Sequence, residues 1–378
     1  MEEYINSYYG GTLGIAKRYG IEKGDLDFTT SNNAAAFNVV YGAKVWNQLN
    51  TKSEVAKLLK KEPWTQSGWR VMTTRPVDDG GVADYATGTA EGAAFGDTTS
   101  PTIVTLEATL KEIVTPYELS TKAELLSDAD DGLKGLAGFM RKEMSDAHVF
   151  GMDEMLLADT ETVAGANLES IDRVTVTDNY CNPSTGPMGT RTDGDMYGKT
   201  RQTEAAWMDA GHCGHANASD RTMTTAMLDD MIEGCLTNGV NYSDLILLTG
   251  HDTYMNLQQL LASATGNVVR YDAPQVPAGS ANGVLGEAGL NYDSRVGSYQ
   301  GIPIFTSQHV VQEASGVSRV HLLDLPQLAL RVAAPTTYVA NDNLAITQAL
   351  TKQFALITAM ELICYRFNTS GSLRDLNA

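Results

Sequence analysis

Pro116-Tyr117-Glu118-Leu119-Ser120 closes a β-type region and leads into the strongest helical signal in the chain. Leu133, Leu136, Ala137, Met140, Met144, Ala147, Gly151, Met155 and Ala158 follow at a spacing of about 3.6 residues, the period of one helix face. Ser127, Asp128 and Asp130 offer N-caps, and acid in a first turn complements the helix dipole. Unbroken to Asp159, this spine helix would span roughly 40 Å at about 1.5 Å per residue. Gly132, Gly135, Gly138 and Gly151 lower its intrinsic propensity, so packing along its length must hold it.

Upstream, Trp69-Arg70-Val71-Met72 and Ile103-Val104-Thr105-Leu106 are rich in branched and aromatic residues and read as strands. Between them runs a segment from Asp78-Asp79-Gly80-Gly81 to Gly96-Asp97-Thr98-Thr99-Ser100-Pro101, with little apolar material of its own. Flanked by two strands, it predicts a long hairpin that projects from the body and docks on a neighbour. The competing reading is a disordered surface loop. Residues 1–64 read as an arm with short helices. Ala35, Ala36, Val39, Val40, Ala43, Trp46 and Leu49 fall close to helical spacing. A second helix is expected after Ser53, with Val55, Leu58 and Leu59 on one face and Pro63 as its end.

Downstream, 165–327 reads as a separate α/β domain. Arg173-Val174-Thr175-Val176-Thr177 predicts a strand, and 179–199 a surface stretch rich in Gly, Thr and Asp. Residues 223–238 form an amphipathic helix with Met227, Met231, Cys235 and Leu236 on its apolar side. Leu245-Ile246-Leu247-Leu248 reads as a buried strand and 253–264 as another helix. A loop over 273–289 precedes the strands Ile302-Pro303-Ile304-Phe305 and Val320-His321-Leu322-Leu323. The tail from Leu328 to Asn368 is mostly strand-like. Residues 354–365 suit strand or helix, and their Thr, Ile and Tyr favour strand.

The 378 residues suffice for two or three domain-sized units, and 43% hydrophobic against 19% charged residues can build a substantial core. No stretch approaches the ~20 apolar residues of a membrane span, and Met1-Glu2-Glu3-Tyr4 is acidic where a secretory signal is basic, so a soluble protein made in a cytoplasm is expected. The net charge of −19 argues against gripping nucleic acid through a basic surface. Asp outnumbers Glu 27 to 19 and Lys appears only 13 times, a balance that fits a very salty environment as well as an ordinary acidic protein. Cys181, Cys213, Cys235 and Cys364 lie far apart and suggest reduced, mostly buried thiols rather than a disulfide framework.

No phosphate-binding, dinucleotide, zinc-protease or serine-elbow motif is present. His212-Cys213-Gly214-His215, with Cys181 upstream, places two imidazoles and a thiol within four residues. Structural zinc uses two separated ligand pairs, and Cys181 lacks a neighbouring second ligand, so the cluster reads as a polar loop. A zinc hydrolase built on His212, Cys213 and His215 is the alternative from another function class. His148 reads as packed or hydrogen-bonded. Asp128, Asp130 and Asp131 read as cap and solvated face, and Asp78-Asp79 near Arg75 as a turn with a surface ion pair. No catalytic, cofactor-binding or metal residue is assigned, and no cofactor.

Arm, hairpin, spine helix, α/β domain and returning strands follow in an order that resembles the Hong Kong 97-type major capsid proteins of tailed phages and tailed archaeal viruses. The resemblance rests on the hairpin over 69–119, on Pro116 to Ser120 entering the spine helix, and on Asp244-Leu245-Ile246-Leu247-Leu248-Thr249-Gly250-His251-Asp252-Thr253-Tyr254. It continues in Val296-Gly297-Ser298-Tyr299-Gln300-Gly301-Ile302-Pro303-Ile304-Phe305-Thr306-Ser307, Leu322-Leu323-Asp324, Leu330-Arg331-Val332 and Pro335-Thr336-Thr337-Tyr338. It implies an α+β capsid fold: N-terminal arm 1–64, extended loop 65–122, peripheral domain with spine helix 123–164, axial domain 165–327, and returning peripheral strands 328–378. It also implies a non-enzymatic shell subunit that assembles with itself into pentamers and hexamers around double-stranded DNA, without sequence-specific contact. Scaffold, portal and decoration proteins are the further partners implied, and the virion is the implied location. Some members crosslink through a lysine in the extended loop; no lysine lies between Lys61 and Lys111, so a non-covalent shell is expected. An encapsulin-type nanocompartment is the alternative within the same fold.

Overall fold

The computed structural model describes residues 55–73, 91–92, 101–129, 136–158, 166–181, 195–201, 207–215, 221–263, 295–311, 318–341 and 351–377. In chain order, β1 (Lys60–Pro63), β2 (Gly68–Met72), β3 (Ile103–Glu107) and β4 (Lys111–Ser120) precede helices α1 (Thr121–Ala129) and α2 (Leu136–Leu157). Short helices α3 (Ile171–Val174) and α4 (Asp178–Cys181) lead to β5 (Asp195–Met196), β6 (Lys199–Thr200), β7 (His212–Gly214) and β8 (Arg221–Thr222). Helix α5 (Thr225–Thr237), β9 (Leu245–Thr249) and α6 (His251–Ser263) follow, then β10 (Arg295–Tyr299), β11 (Ile302–Thr306) and β12 (Ser318–Asp324). The chain finishes through β13 (Leu328–Asn341), β14 (Thr351–Cys364) and β15 (Gly371–Asn377). The fold is mixed α+β. It divides into two compact units, one holding Glu112–Met152 and Ala334–Ala359, the other Glu54–Lys111, Asp153–Ala333 and Met360–Ala378.

In the first unit, β14 lies between β13 and β4. Residues 354–364 are strand, the alternative their branched side chains favour. Ile113, Tyr117 and Leu119 alternate inward along β4, and Leu119 joins Ala123 and Leu136 in a small core. Phe354 stacks on Tyr117 at 5.0 Å and on Tyr338 at 5.5 Å, so one aromatic from each strand builds a cross-strand ladder. The Arg141 guanidinium of α2 lies over the Tyr338 ring at 4.3 Å. His148 is buried, with Nδ1 at 2.8 Å from Thr115 Oγ1 and Nε2 at 2.7 Å from Thr358 Oγ1, the packed histidine that the sequence suggested. Burial lowers its pKa and favours the neutral imidazole.

Of the expected spine helix, α2 (Leu136–Leu157) lies among the described residues, and its expected start at 130–135 lies outside them. Ser127 and Asp128 fall within helix α1. Twenty-two residues in α2 span about 33 Å.

The second unit is organised on a seven-stranded sheet ordered β10-β11-β9-β12-β15-β7, with β8 also paired to β15. β9 runs parallel to β11 and antiparallel to β12, and β15 lies antiparallel to β12 and parallel to β7. All residues of β9 and β12 are buried, which explains the apolar run Leu245–Leu248 in β9, while β12 also buries Arg319 and His321. Helix α5 begins at Thr224, whose hydroxyl accepts from Met227 N–H, and turns Leu228, Met231, Ile232 and Cys235 to the core. Gly234 permits the close approach of α5 to β7: a Cβ there would sit 2.9 Å from Gly211 O and 3.1 Å from His212 Cβ.

Three local expectations are corrected. Arg173 and Val174 belong to helix α3, not to a strand. Ser170 caps that helix by accepting from Arg173 N–H at 3.3 Å, and Thr175 Oγ1 bonds back to Ile171 O, so local capping overrides β-propensity. The helix expected after Ser53 is a single turn at 55–59, because 60–63 pairs with Ala329 to Val332 as strand β1. Residues 212–214 are strand β7, not a loop, because Gly371 to Leu373 draw them into the sheet. The helix at 35–49, the hairpin tip with Arg75, Asp78 and Asp79, Asp130, Asp131 and the loop at 273–289 lie outside the described residues.

Candidate functional site

The predicted hairpin has its two strands. β2 and β3 pair antiparallel from Gly68↔Glu107 to Met72↔Ile103. Alternation turns Trp69 and Leu106, a cross-strand pair, inward, and leaves Arg70, Thr105 and Glu107 exposed. Away from Trp69, Met72 and Ile103 face each other across the ribbon and are each 59% exposed. Covering one such side chain contributes about 1.5–3 kcal/mol relative to leaving it in water. The ribbon therefore presents an apolar pair suited to a protein surface.

At the root, Ala108 N–H donates to Ser67 O at 3.0 Å. Arg331 donates to Gln66 O at 3.0 Å and lies over the rings of Trp69 and Tyr365 at 5.5 and 5.7 Å. The Tyr365 hydroxyl in turn donates to Glu62. Nothing in the sequence links these side chains, since their association depends on contacts between β1, β2, β13 and the end of β14.

Beneath the sheet lies a buried charge cluster. Asp172 of α3 accepts from Arg319 of β12 at 2.7 Å and from Arg374 of β15 at 2.9 and 3.1 Å. Arg374 is 0% exposed; it also donates to Asp172 O at 2.8 Å and to Ser372 Oγ at 3.1 Å, and covers the Tyr180 ring at 4.7 Å. Burial opposes the charge on Arg374, but Asp172 outweighs it and raises the guanidinium pKa. Ser372 donates to Thr175 O at 2.6 Å, and Thr175 Oγ1 meets His321 Nδ1 at 3.0 Å. One carboxylate thus ties α3, β12 and β15 together.

No family model and no curated protein matches the sequence. Solved structures do. The capsid asymmetric unit of cyanophage A-1(L) superposes with a TM-score of 0.63 at 16% identity, covering 89% of this chain and 96% of that one. The capsid of a native GTA particle gives 0.55 at 12% identity, covering 88% and 93%. Mycobacterium phage Bobi gives 0.53 at 12% identity, covering 94% and 100%. The fold is that of tailed-phage capsid proteins.

Within this capsid fold His212 and Cys213 lie on β7, His215 follows its end, and Cys181 closes α4. Burial lowers the pKa of His212, and Cys213 Sγ lies 3.7 Å from Ser372 Oγ. Among the described residues no group of three His, Cys, Asp or Glu side chains is placed to hold a metal ion. Cys213, Cys235 and Cys364 are free thiols, and burial pushes the last two up to about 12. No helix among the described residues is long and apolar enough to cross a membrane.

Proposed function

We propose that this chain is a structural, non-enzymatic subunit, the major capsid protein of a tailed virus with the Hong Kong 97-type organisation. Copies assemble through pentamers and hexamers into an icosahedral shell that encloses double-stranded DNA and forms the outer body of the virion. In this reading 1–64 is the arm, 65–122 the extended loop, 123–164 the spine region, 165–327 the axial domain and 328–378 the returning strands. The observation that carries it is the likeness to capsid subunits over nearly the full length of both chains. The exposed Met72–Ile103 pair supports it, because a ribbon carrying uncovered apolar side chains gains from docking on a neighbouring copy. Scaffold, portal and decoration proteins are the other partners this role brings.

Deleting 78–101 is expected to abolish closed particles while leaving a folded subunit. Negative-stain microscopy and circular dichroism of the purified deletion and the full chain decide it. Closed particles from the deletion overturn the docking of the hairpin, and a full chain that never forms particles overturns the shell.

Charge makes a second demand on such a shell, because −19 per subunit recurs in every copy. At ~0.01 M salt the Debye length is about 30 Å and repulsion reaches across a subunit; near 1 M it is about 3 Å and repulsion is screened. Assembly in a salty habitat, such as that of a haloarchaeal host, follows from this. Particles dialysed from molar salt into dilute buffer are expected to loosen, read by light scattering. Particles that stay intact in dilute, metal-free buffer contradict it.

A further inference from the structure

The turn joining β5 to β6 is built on Tyr197, whose φ of 52° lies in the left-handed region that bulky side chains rarely adopt. Gly198 follows at φ 75°, completing a two-residue hairpin whose first position ordinarily takes Asn, Asp or Gly. A strained tyrosine persists only where its surroundings over-determine it. Here they do. Tyr197 is buried. Its carbonyl accepts from Glu107 N–H, at the root of β3, at 3.1 Å. Its ring meets Trp69 of β2 edge-on, with centroids 4.9 Å apart. Its hydroxyl donates to Leu362 O of β14 at 2.8 Å, and its ring lies 6.2 Å from that of Phe367. One residue therefore touches both strands of the β2–β3 ribbon and also the strand end behind them.

We propose that Tyr197 is a positioning residue for assembly, fixing the angle at which the ribbon leaves the subunit so that Met72 and Ile103 reach a neighbouring copy in register. The inference rests on the reading of the chain as a shell subunit. Its physical basis is leverage. Met72 lies three residues beyond Trp69, roughly 10 Å along the strand at about 3.3 Å per residue. A tilt of about 10° at the root moves that side chain by roughly 2 Å, and the displacement grows further out along the ribbon. A closed shell repeats the same contact in every copy, so an error in angle recurs instead of averaging out.

The test uses Tyr197→Asn and Tyr197→Phe in the full chain. Asparagine suits the left-handed backbone but removes ring and hydroxyl; phenylalanine keeps the ring and loses only the hydrogen bond to Leu362 O. Subunit folding is read by thermal melting, and assembly by sedimentation and particle diameter under the microscope. Tyr197→Asn is expected to melt as a folded subunit yet yield at least tenfold fewer regular particles, while Tyr197→Phe stays within about twofold of the unaltered chain. A merely structural tyrosine would move melting and leave particle regularity unchanged, and that result overturns the proposal. Should Tyr197→Asn fail to fold, Trp69→Leu removes the ring that Tyr197 meets and leaves the turn intact. Folded subunits without regular particles then support the proposal, and regular particles overturn it. If the unaltered chain forms no particles, the shell reading fails and this inference fails with it; normal particles from Tyr197→Asn overturn the positioning role alone.

Discussion

Asp172→Ala is expected to destabilise the seven-stranded unit by about 3–5 kcal/mol, a large part of a typical domain's total stability. The cost does not come from losing attraction in water. It comes from leaving the guanidiniums of Arg319 and Arg374 buried without the carboxylate that both engage. Arg374 is fully buried on β15, the strand held between β12 and β7. Asp172→Asn keeps the shape and loses the charge, so a loss nearly as large is expected from it. Urea unfolding followed by circular dichroism measures both, as a fall in midpoint at constant slope. A loss below about 1 kcal/mol would mean that the cluster relaxes or hydrates, and would refute this account.

Glu361→Gln is expected to do the opposite, stabilising the fold at pH 8. The Glu361 carboxyl is buried, accepts from Glu169 N–H at 2.7 Å and Leu362 N–H at 2.9 Å, and has the second buried carboxyl of Glu169 nearby. Burial, reinforced by Glu169 and offset in part by the two amides and Lys111, pushes its pKa from 4.5 to about 7. The folded state therefore holds the proton more tightly than the unfolded chain. Between pH 4.5 and about 7 the folded state binds more protons, so stability falls as pH rises across that window and levels off above it. The difference corresponds to on the order of 3 kcal/mol lost by pH 8. Glutamine preserves an acceptor for both amides and carries no charge. Asp324, pushed to about 6 mainly by burial, titrates in the same direction and leaves part of the slope in the variant. Melting temperatures at pH 5, 6, 7 and 8 for both proteins test this. A variant no more stable than the unaltered chain at pH 8 contradicts it.

Periodicity and strand composition along the sequence correctly located α2, α5, α6, β2, β3, β9, β11, β12 and β14, because each signal is local. One face of a helix repeats at about 3.6 residues, and a strand buried on both faces is apolar throughout. The order of these elements resembles that of the capsid fold, and the superposed capsid chains share the fold. His148 was legible as a packing residue because it sits amid a helix whose apolar stripe continues on either side of it.

What stayed hidden depends on partners distant in sequence. Asp172 lies 147 residues from Arg319 and 202 from Arg374, so no spacing rule links them, and an isolated aspartate in a β-prone stretch reads as a turn or surface group. At 173–177 the override is local instead: the Ser170 cap and the Thr175 back-bond hold one helical turn against the preference of Val and Thr. Tyr197 sits beside Gly198 in a stretch of Gly, Thr and Asp that reads as surface, and only the packing of Trp69, Leu362 and Phe367 around it makes it core. By itself, then, the sequence determined the elements and their order, since hydrophobic periodicity and local propensity act over a few residues. Tertiary structure alone decided which charges are buried together and which strained turn anchors the ribbon, because those depend on desolvation and contact between segments that meet only once the chain has folded.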